Sequence, residues 1–166
     1  MKMSNCRITA SLFPLLLVLG LNQAMAADSD LAAFKQAIRA KYDLKEKAFA
    51  AGDPDPIINH FYAADVVSTD EQGNTHVGRD ELRPLYEEVT AGHFVRIESV
   101  YTHVNGKVGW DWANFFVTPK DPASKEKPFS FKILFLWEKV KGEWWCKGDM
   151  YVLGEFKKNG MQHTAE

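Results

Sequence analysis

The spacing of apolar residues changes along the chain, from a helical period in the first half to a two-residue period in the second. In the first half, one apolar stripe contains Leu31, Phe34, Ile38, Tyr42 and, after a gap, Phe49. Charged residues fill half of the positions between them, so the pattern predicts an amphipathic helix of about five turns. Gly52 supplies the residue that commonly ends such a helix.

Shorter elements follow this helix. Asp55-Pro56 predicts the start of a second helix, which the apolar residues Ile57, Ile58, Phe61 and Tyr62 extend to a point near Ala64. Residues 66–69 and 75–77 are β-prone and flank a Gln-Gly-Asn turn, so they predict a small hairpin. A third helix is predicted to begin near Arg79.

From residue 94 onward, apolar and polar residues alternate with a period of two. This pattern predicts four long strands, over residues 94–104, 108–118, 129–139 and 143–153. Asn105-Gly106 between the first two is a strong hairpin signal. Helices gathered before a strand meander predict an α+β fold in which three N-terminal helices pack on a curved, mainly antiparallel sheet.

The N-terminus has the pattern of a secretory signal peptide. Lys2 and Arg7 precede an apolar run over residues 8–21, and Ala24-Met25-Ala26 follows it. We therefore predict that residues 1–26 are removed and that residues 27–166 form a single periplasmic or secreted domain with its core at about 30–154. The apolar run is short for a bilayer, and no second one occurs, so no membrane span is expected after cleavage.

Charge and composition exclude several classes of function. The chain has 20 Lys and Arg against 22 Asp and Glu, without a basic block, so a nucleic-acid partner is not expected. Cys146 is the one cysteine beyond the predicted cleavage site, which leaves no intramolecular disulfide. The five histidines lack metal-ligand spacing, and no glycine-rich phosphate loop occurs. We therefore expect neither a metal nor a cofactor.

Four short segments carry a resemblance to a known superfamily. They are Ala50-Ala51-Gly52-Asp53, residues 60–67, residues 77–82 and residues 142–151. In this order they resemble the nuclear transport factor 2-like superfamily, and within it the SnoaL-like and ketosteroid-isomerase-like domains. The resemblance implies a cone-shaped half-barrel whose concave face and helices enclose a pocket. Such a pocket is catalytic in some members, binds ligands in others and is filled in many, so the fold does not determine the function.

The ketosteroid-isomerase mechanism requires a carboxylate base and an oxyanion hole made of a tyrosine and a neutral carboxylic acid. The resemblance places Asp70 at the position of the base. It places Lys45 at the tyrosine position and Ile133 at the acid position. Because both oxyanion donors are absent, steroid isomerisation is disfavoured. A role of Asp70 in the turn that follows it is the alternative interpretation.

Asp149 is the stronger polar candidate, since a carboxylate in the middle of a strand needs a partner or a cavity. It is either a pocket acid, base or ligand anchor, or one half of a salt bridge with Lys147 or a lysine of the first helix. We predict that Asp149 faces the concave pocket and contributes more to ligand binding than Asp70. Together with Tyr42, these two aspartates form the predicted catalytic set.

Aromatic residues are dense along the chain and provide the predicted ligand-binding set. Its members are Tyr42, Phe61, Tyr62, Trp110, Trp112, Phe135, Trp137, Trp145 and Tyr151. The strand over 108–118 is apolar on both faces, so both faces need cover. Helices cover one face, and we predict that a second copy of the chain covers the other in a homodimer.

Three functions fit these observations. The favoured one is a non-catalytic small-molecule binder or accessory domain, whose aromatic-lined pocket takes a small apolar or aromatic ligand. The first alternative is a cofactor-independent acid–base enzyme, namely an isomerase, dehydratase or cyclase. The second alternative is a dimeric interaction module with a filled pocket. The sequence does not name the ligand.

Overall fold

A computed structural model describes residues 15–157, with side chains described from residue 28. Residues 1–14 of the predicted signal peptide lie outside the described residues. The elements are α1 (Leu15–Ala51), α2 (Asp55–His60), β1 (Tyr62–Thr69), β2 (Thr75–Val77), α3 (Arg79–Gly92), β3 (His93–Asn105), β4 (Val108–Pro119), β5 (Phe129–Val140) and β6 (Glu143–Leu153). No helix among the described residues has the length and apolar character needed to cross a membrane.

The six strands form one curved, open sheet in the order β2-β1-β6-β5-β4-β3. Neighbouring strands are antiparallel except β1 and β6, which are parallel. The helices pack on the inner face of the sheet, and a single apolar core lies between the two layers. The predicted α+β cone is confirmed.

The four long strands begin and end within one residue of their predicted bounds. The small hairpin lies where it was predicted, but β1 begins at Tyr62 and not at residue 66. The predicted end of the second helix is wrong. α2 stops at His60, and Tyr62 begins β1, where it pairs with Cys146 of β6. The apolar run around Phe61 fits a helix or a strand equally well. Pairing with β6, more than eighty residues away along the chain, makes the segment from Tyr62 onward a strand.

The apolar stripe of α1 lies against the sheet, where Phe34, Ile38, Tyr42 and Phe49 are buried. At the N-terminal end of this stripe, the helix approaches the sheet closely because β4 has a glycine, Gly109, at the point of contact. A Cβ atom there would lie 2.7 Å from Cζ of Phe34 and 2.9 Å from the carbonyl oxygen of His103. At the other end, Gly52 has φ +72° and its N–H donates to the carbonyl oxygen of Phe49 (3.1 Å), which ends the helix as predicted.

The outer face of the sheet is partly covered by the segment that follows β6. The ring of Phe156 packs on those of Tyr101 and Trp112, with centroids 5.6 and 5.7 Å away. The Asn114 amide fixes this segment, accepting from the Phe156 N–H (2.7 Å) and donating to its carbonyl oxygen (3.1 Å). Farther along this face Leu136 remains exposed, as do two residues of β6, Met150 and Val152.

Candidate functional site

A cavity of about 210 Å³ lies between the inner face of the sheet and helices α1 and α3. Its walls are mostly apolar and include Phe49, Phe115, Val117, Phe131 and Ile133. The exposed side chains of Leu85, Phe129 and Leu153 also line it. The cavity is therefore a mostly apolar pocket between helices and sheet that opens to the surface.

One part of the cavity wall is polar and belongs to a hydrogen-bonded cluster from α1, β1, α3 and β6, which we call the Lys45 cluster: Lys45, Tyr62, Ser68, Tyr86 and Asp149, of which all but Tyr62 line the cavity. The Lys45 Nζ donates to the hydroxyl oxygens of Tyr62 (2.9 Å) and Tyr86 (2.8 Å). The Tyr62 hydroxyl donates to Asp149 Oδ2 (2.6 Å), and the Ser68 hydroxyl donates to Oδ1 (2.5 Å). All five side chains are buried.

Counting donors and acceptors shows which groups of the cluster remain free for a ligand. The single proton of Tyr62 is committed to Asp149, so in the 2.6 Å contact between the hydroxyls of Tyr62 and Tyr86 it is Tyr86 that donates. Protonated Lys45 has three N–H groups and uses two of them on the tyrosines. The third has no assigned acceptor among the described residues, so the cluster can still donate one hydrogen bond.

Five aromatic rings lie close to the Lys45 ammonium. Its nitrogen lies 4.4 Å from the ring centroid of Phe61 and within 6 Å of four further rings. Burial penalises the cation and lowers the pKa of Lys45 to about 8, although Asp149 acts in the opposite direction. Burial also raises the pKa of Tyr62 and that of Tyr86, which keeps both hydroxyls protonated as donors.

A bulge in β6 turns Asp149 toward the cavity. Cys146 pairs with Trp137, and Asp149 pairs with Phe135, two residues away on β5. Because Trp137 and Phe135 both face the core, Cys146 and Asp149 share the inner face although three positions separate them. An unbroken strand would put Asp149 on the outer face of the sheet.

A second buried carboxylate, Asp111 of β4, lies outside the cavity. It accepts hydrogen bonds from the hydroxyls of Tyr42 (2.7 Å), Ser99 (2.8 Å) and Thr102 (2.7 Å). A bulge in β3 brings Ser99 and Thr102 to the same side. Burial raises the pKa of Asp111, and the three hydroxyl donors work against that rise.

The predicted catalytic set does not assemble at one place. Asp149 lines the cavity. Tyr42 is bound to Asp111 in the core. Asp70 is absent from the cavity lining and accepts hydrogen bonds in the hairpin turn, from the N–H of Gln72 (2.9 Å) and from the N–H and side-chain amide of Asn74 (both 2.8 Å). These bonds hold the pKa of Asp70 below its ordinary value.

Of the predicted ligand-binding aromatics, Tyr151 lines the cavity, and the others lie in the core or away from the cavity. Phe61, Phe135 and Trp137 pack on one another behind the Lys45 cluster, with Tyr42 against Phe135. Tyr62 belongs to the cluster itself. None of these five lines the cavity.

The remaining tryptophans of that set lie away from the cavity as well. Trp110 stacks on His103 and Trp112 packs against Phe156. Trp145 lies between the Lys41 ammonium and the Arg79 guanidinium, 4.7 and 5.1 Å from its ring centroid. Apart from Tyr151, the aromatic walls of the cavity come from residues outside that set, chiefly Phe49, Phe115, Phe129 and Phe131.

Sequence reasoning missed Lys45, Ser68 and Tyr86 as site residues. A signal for Lys45 was present, because it occupies the gap in the apolar stripe between Tyr42 and Phe49. A lysine at a buried position of an amphipathic helix requires a compensating partner. Among the described residues, no group of three or more His, Cys, Asp or Glu side chains could hold a metal ion.

Comparison with known proteins identifies the fold and no closer relationship. No protein-family profile and no curated protein sequence matches the chain. A ketosteroid isomerase-like protein from Erwinia carotovora atroseptica SCRI1043 matches with a TM-score of 0.58 and 21% identity, over 70% of this chain and 92% of that chain. A nuclear transport factor 2-like protein of unknown function from Pseudomonas putida KT2440 matches with a TM-score of 0.61 and 17% identity, over 77% and 91%.

A third similar structure is a putative calcium/calmodulin dependent protein kinase II association domain from Xanthomonas campestris, with a TM-score of 0.61 and 18% identity, over 70% of this chain and 85% of that chain. The chain therefore has the nuclear transport factor 2-like, ketosteroid isomerase-like fold that the sequence resemblance predicted. At these identities the similarity concerns the fold alone.

Proposed function

We propose that this protein is an exported domain that binds one small, neutral, largely apolar ligand in the cavity between its helices and sheet. The observation that carries the proposal is an apolar cavity with a buried, hydrogen-bonded lysine and aspartate in its wall. Apolar walls with a few convergent polar groups are typical of small-molecule sites. The open volume favours this function over an interaction module with a filled pocket.

The size of the cavity limits the ligand to about one substituted ring. An apolar protein cavity of about 150 Å³ accommodates benzene. The volume of about 210 Å³ found here leaves room for a ring with a short substituent.

The charges of the Lys45 cluster favour a neutral ligand. Protonated Lys45 and ionised Asp149 cancel, whereas an anion or cation added to the apolar cavity would leave one buried charge without compensation. The unused N–H group of Lys45 favours a ligand whose substituent accepts a hydrogen bond, such as a carbonyl group.

Titration with acetophenone by calorimetry tests this proposal. We expect saturable binding of one molecule per chain and a loss of affinity of about tenfold or more in Val117→Phe, because the larger ring occupies the cavity. The matched control is Val108→Phe, the same substitution at an exposed position of the same strand, which should bind like wild type. Equal affinity in both variants would exclude the cavity as the binding site.

Export and dimerisation are parts of this proposal that rest on the N-terminal sequence pattern and on the exposed apolar side chains of the outer sheet face. Native mass spectrometry of the protein recovered from the periplasm addresses both. We expect a dimer of chains that begin at Ala27 or within a residue or two, retaining a small ligand. A chain that keeps Met1 and is found in the membrane fraction would contradict cleavage and export, and a monomer at micromolar concentration would contradict the dimer.

A further inference from the structure

The amine of Lys45 lies in the buried wall of the cavity, as a reactive amine would, and not at the protein surface. Among the described residues it is the one lysine that is buried, with 1% of its surface exposed, and it lines the cavity. Two tyrosine hydroxyls fix its nitrogen, and one of them leads directly to a carboxylate. An ammonium that served only to balance Asp149 would be expected to bond that carboxylate directly, and here Tyr62 stands between them.

We infer that Lys45 captures a small aldehyde or ketone as a protonated imine, with Tyr62 and Asp149 relaying the proton that frees the amine. This inference rests on the proposed function, since it specifies the chemistry by which the cavity holds its ligand.

The relay follows from two consecutive hydrogen bonds. A proton of Lys45 moves to the Tyr62 oxygen over 2.9 Å while the Tyr62 proton moves to Asp149 Oδ2 over 2.6 Å. The result is a neutral amine beside a neutral carboxylic acid. Two buried charges are removed together, so the step does not leave an isolated charge in the apolar interior.

The capture step is balanced without any further reactant. The lone pair of the neutral Lys45 amine attacks the carbonyl carbon and forms a C–N bond. The carbonyl oxygen takes up two protons and leaves as water. Both protons come from the original ammonium, and one of them is returned by Asp149 through Tyr62. Ammonium plus carbonyl compound thus gives protonated imine plus water, and the single positive charge is conserved.

The surroundings of the nitrogen suit the product as well as the free amine. The protonated imine keeps its charge within the same aromatic rings and beside ionised Asp149. The titratable groups that face Lys45 are Asp149 and Cys146 from β6, Tyr62 from β1 and Tyr86 from α3. Burial lowers the pKa of Lys45 to about 8, so a useful fraction of the amine is neutral near physiological pH.

Reductive trapping tests this inference. The full-length protein is incubated with a limiting amount of benzaldehyde at pH 7, sodium cyanoborohydride is added, and the modified lysines are located by peptide mass mapping. We expect one benzyl group per chain on Lys45, in yield about tenfold or more above that on Lys47, which lies on the same helix. Adducts that spread over the exposed lysines and omit Lys45 would overturn the inference.

Three variants make the result specific. Lys45→Arg should lose the adduct at this position. Val117→Phe keeps the lysine and closes the cavity, so it should lose the Lys45 adduct while Lys47 reacts as before; this variant serves even where Lys45→Arg does not fold. Tyr62→Phe breaks the relay and should slow trapping at Lys45 by about tenfold. An unchanged rate in Tyr62→Phe would remove the relay from the inference.

The binding measurement separates failure of this inference from failure of the proposed function. Saturable acetophenone binding that Val117→Phe abolishes, without any benzaldehyde adduct on Lys45, would refute covalent capture and leave a non-covalent binding site. Absence of both the adduct and the binding would refute the inference and the proposed function together.

Discussion

Replacing Asp149 by asparagine is expected to lower the free energy of unfolding by about 3–5 kcal/mol at pH 5, because it leaves the buried Lys45 ammonium without its carboxylate. The amide also faces the Tyr62 and Ser68 hydroxyls, which both donate to the carboxylate, and its NH₂ group cannot accept from them. Urea denaturation followed by tryptophan fluorescence measures this loss.

The matched control is Asp70→Asn, the same chemical change in the hairpin turn. Its carbonyl oxygen can still accept from the backbone of that turn, so we expect a much smaller loss. Adding Lys45→Met to Asp149→Asn should recover more than half of the lost stability, since the uncompensated cation is removed. Equal losses in Asp70→Asn and Asp149→Asn would show that burial of Asp149 carries no electrostatic cost.

The pH dependence of Asp149→Asn is a consequence of the same argument. Asp149 raises the pKa of Lys45 against the larger effect of burial, so the substitution lowers that pKa further below 8. The folded protein then binds fewer protons than the unfolded chain over a wider range of pH. The part of the destabilisation that comes from the Lys45 cation should therefore be complete only below the lowered pKa of the variant, should fade as the pH rises from there toward 8, and should be absent above about 8.

The second large effect is expected at Asp111, where alanine should cost about 3 kcal/mol. The substitution removes the acceptor of three hydroxyls and leaves that of the buried Tyr42 without a partner. Tyr42→Phe serves as the control, because it removes a donor and should cost about 1 kcal/mol. In the double variant the two losses should not add, since the unsatisfied hydroxyl is gone. Strict additivity would show that the Tyr42–Asp111 bond contributes nothing.

Acidity should change the contribution of Asp111 to stability. Burial raises the pKa of Asp111, so the folded protein holds this proton to a higher pH than the unfolded chain does. The stability contributed by Asp111 therefore increases as the pH falls from 7 toward 4. We expect the loss in Asp111→Ala to grow over that range in urea denaturation series. A loss that shrinks on acidification would contradict the burial argument.

The two buried carboxylates differ in whether they were recognised from the sequence. The sequence predicts that Asp149 faces the pocket, because a carboxylate in the middle of a strand needs a partner or solvent. The same argument applies to Asp111, which lies between tryptophans in the sequence and was missed. Tyr62 is predicted to contact ligand from a helix, and it instead begins a strand and bonds Asp149.

The sequence by itself determined the order of the elements, the apolar stripe of α1 and the bounds of the four long strands. Those features depend on local periodicity and on turn residues such as Asn105-Gly106, which act within a few positions of the chain. Its four short family-like segments were also sufficient to predict the nuclear transport factor 2-like fold.

Only the tertiary structure decided which side chains meet at the cavity. A bulge adds one residue to a strand, so every residue beyond it points to the opposite face of the sheet from the one that strict alternation predicts. The alternation of apolar and polar residues in the sequence did not reveal the bulges in β6 and β3. The burial of Lys45 depends on Tyr62, Tyr86 and Asp149, which are 17, 41 and 104 residues away along the chain. Such long-range partners are set by the packing of whole elements, which is why the site could not be assembled from local pattern alone.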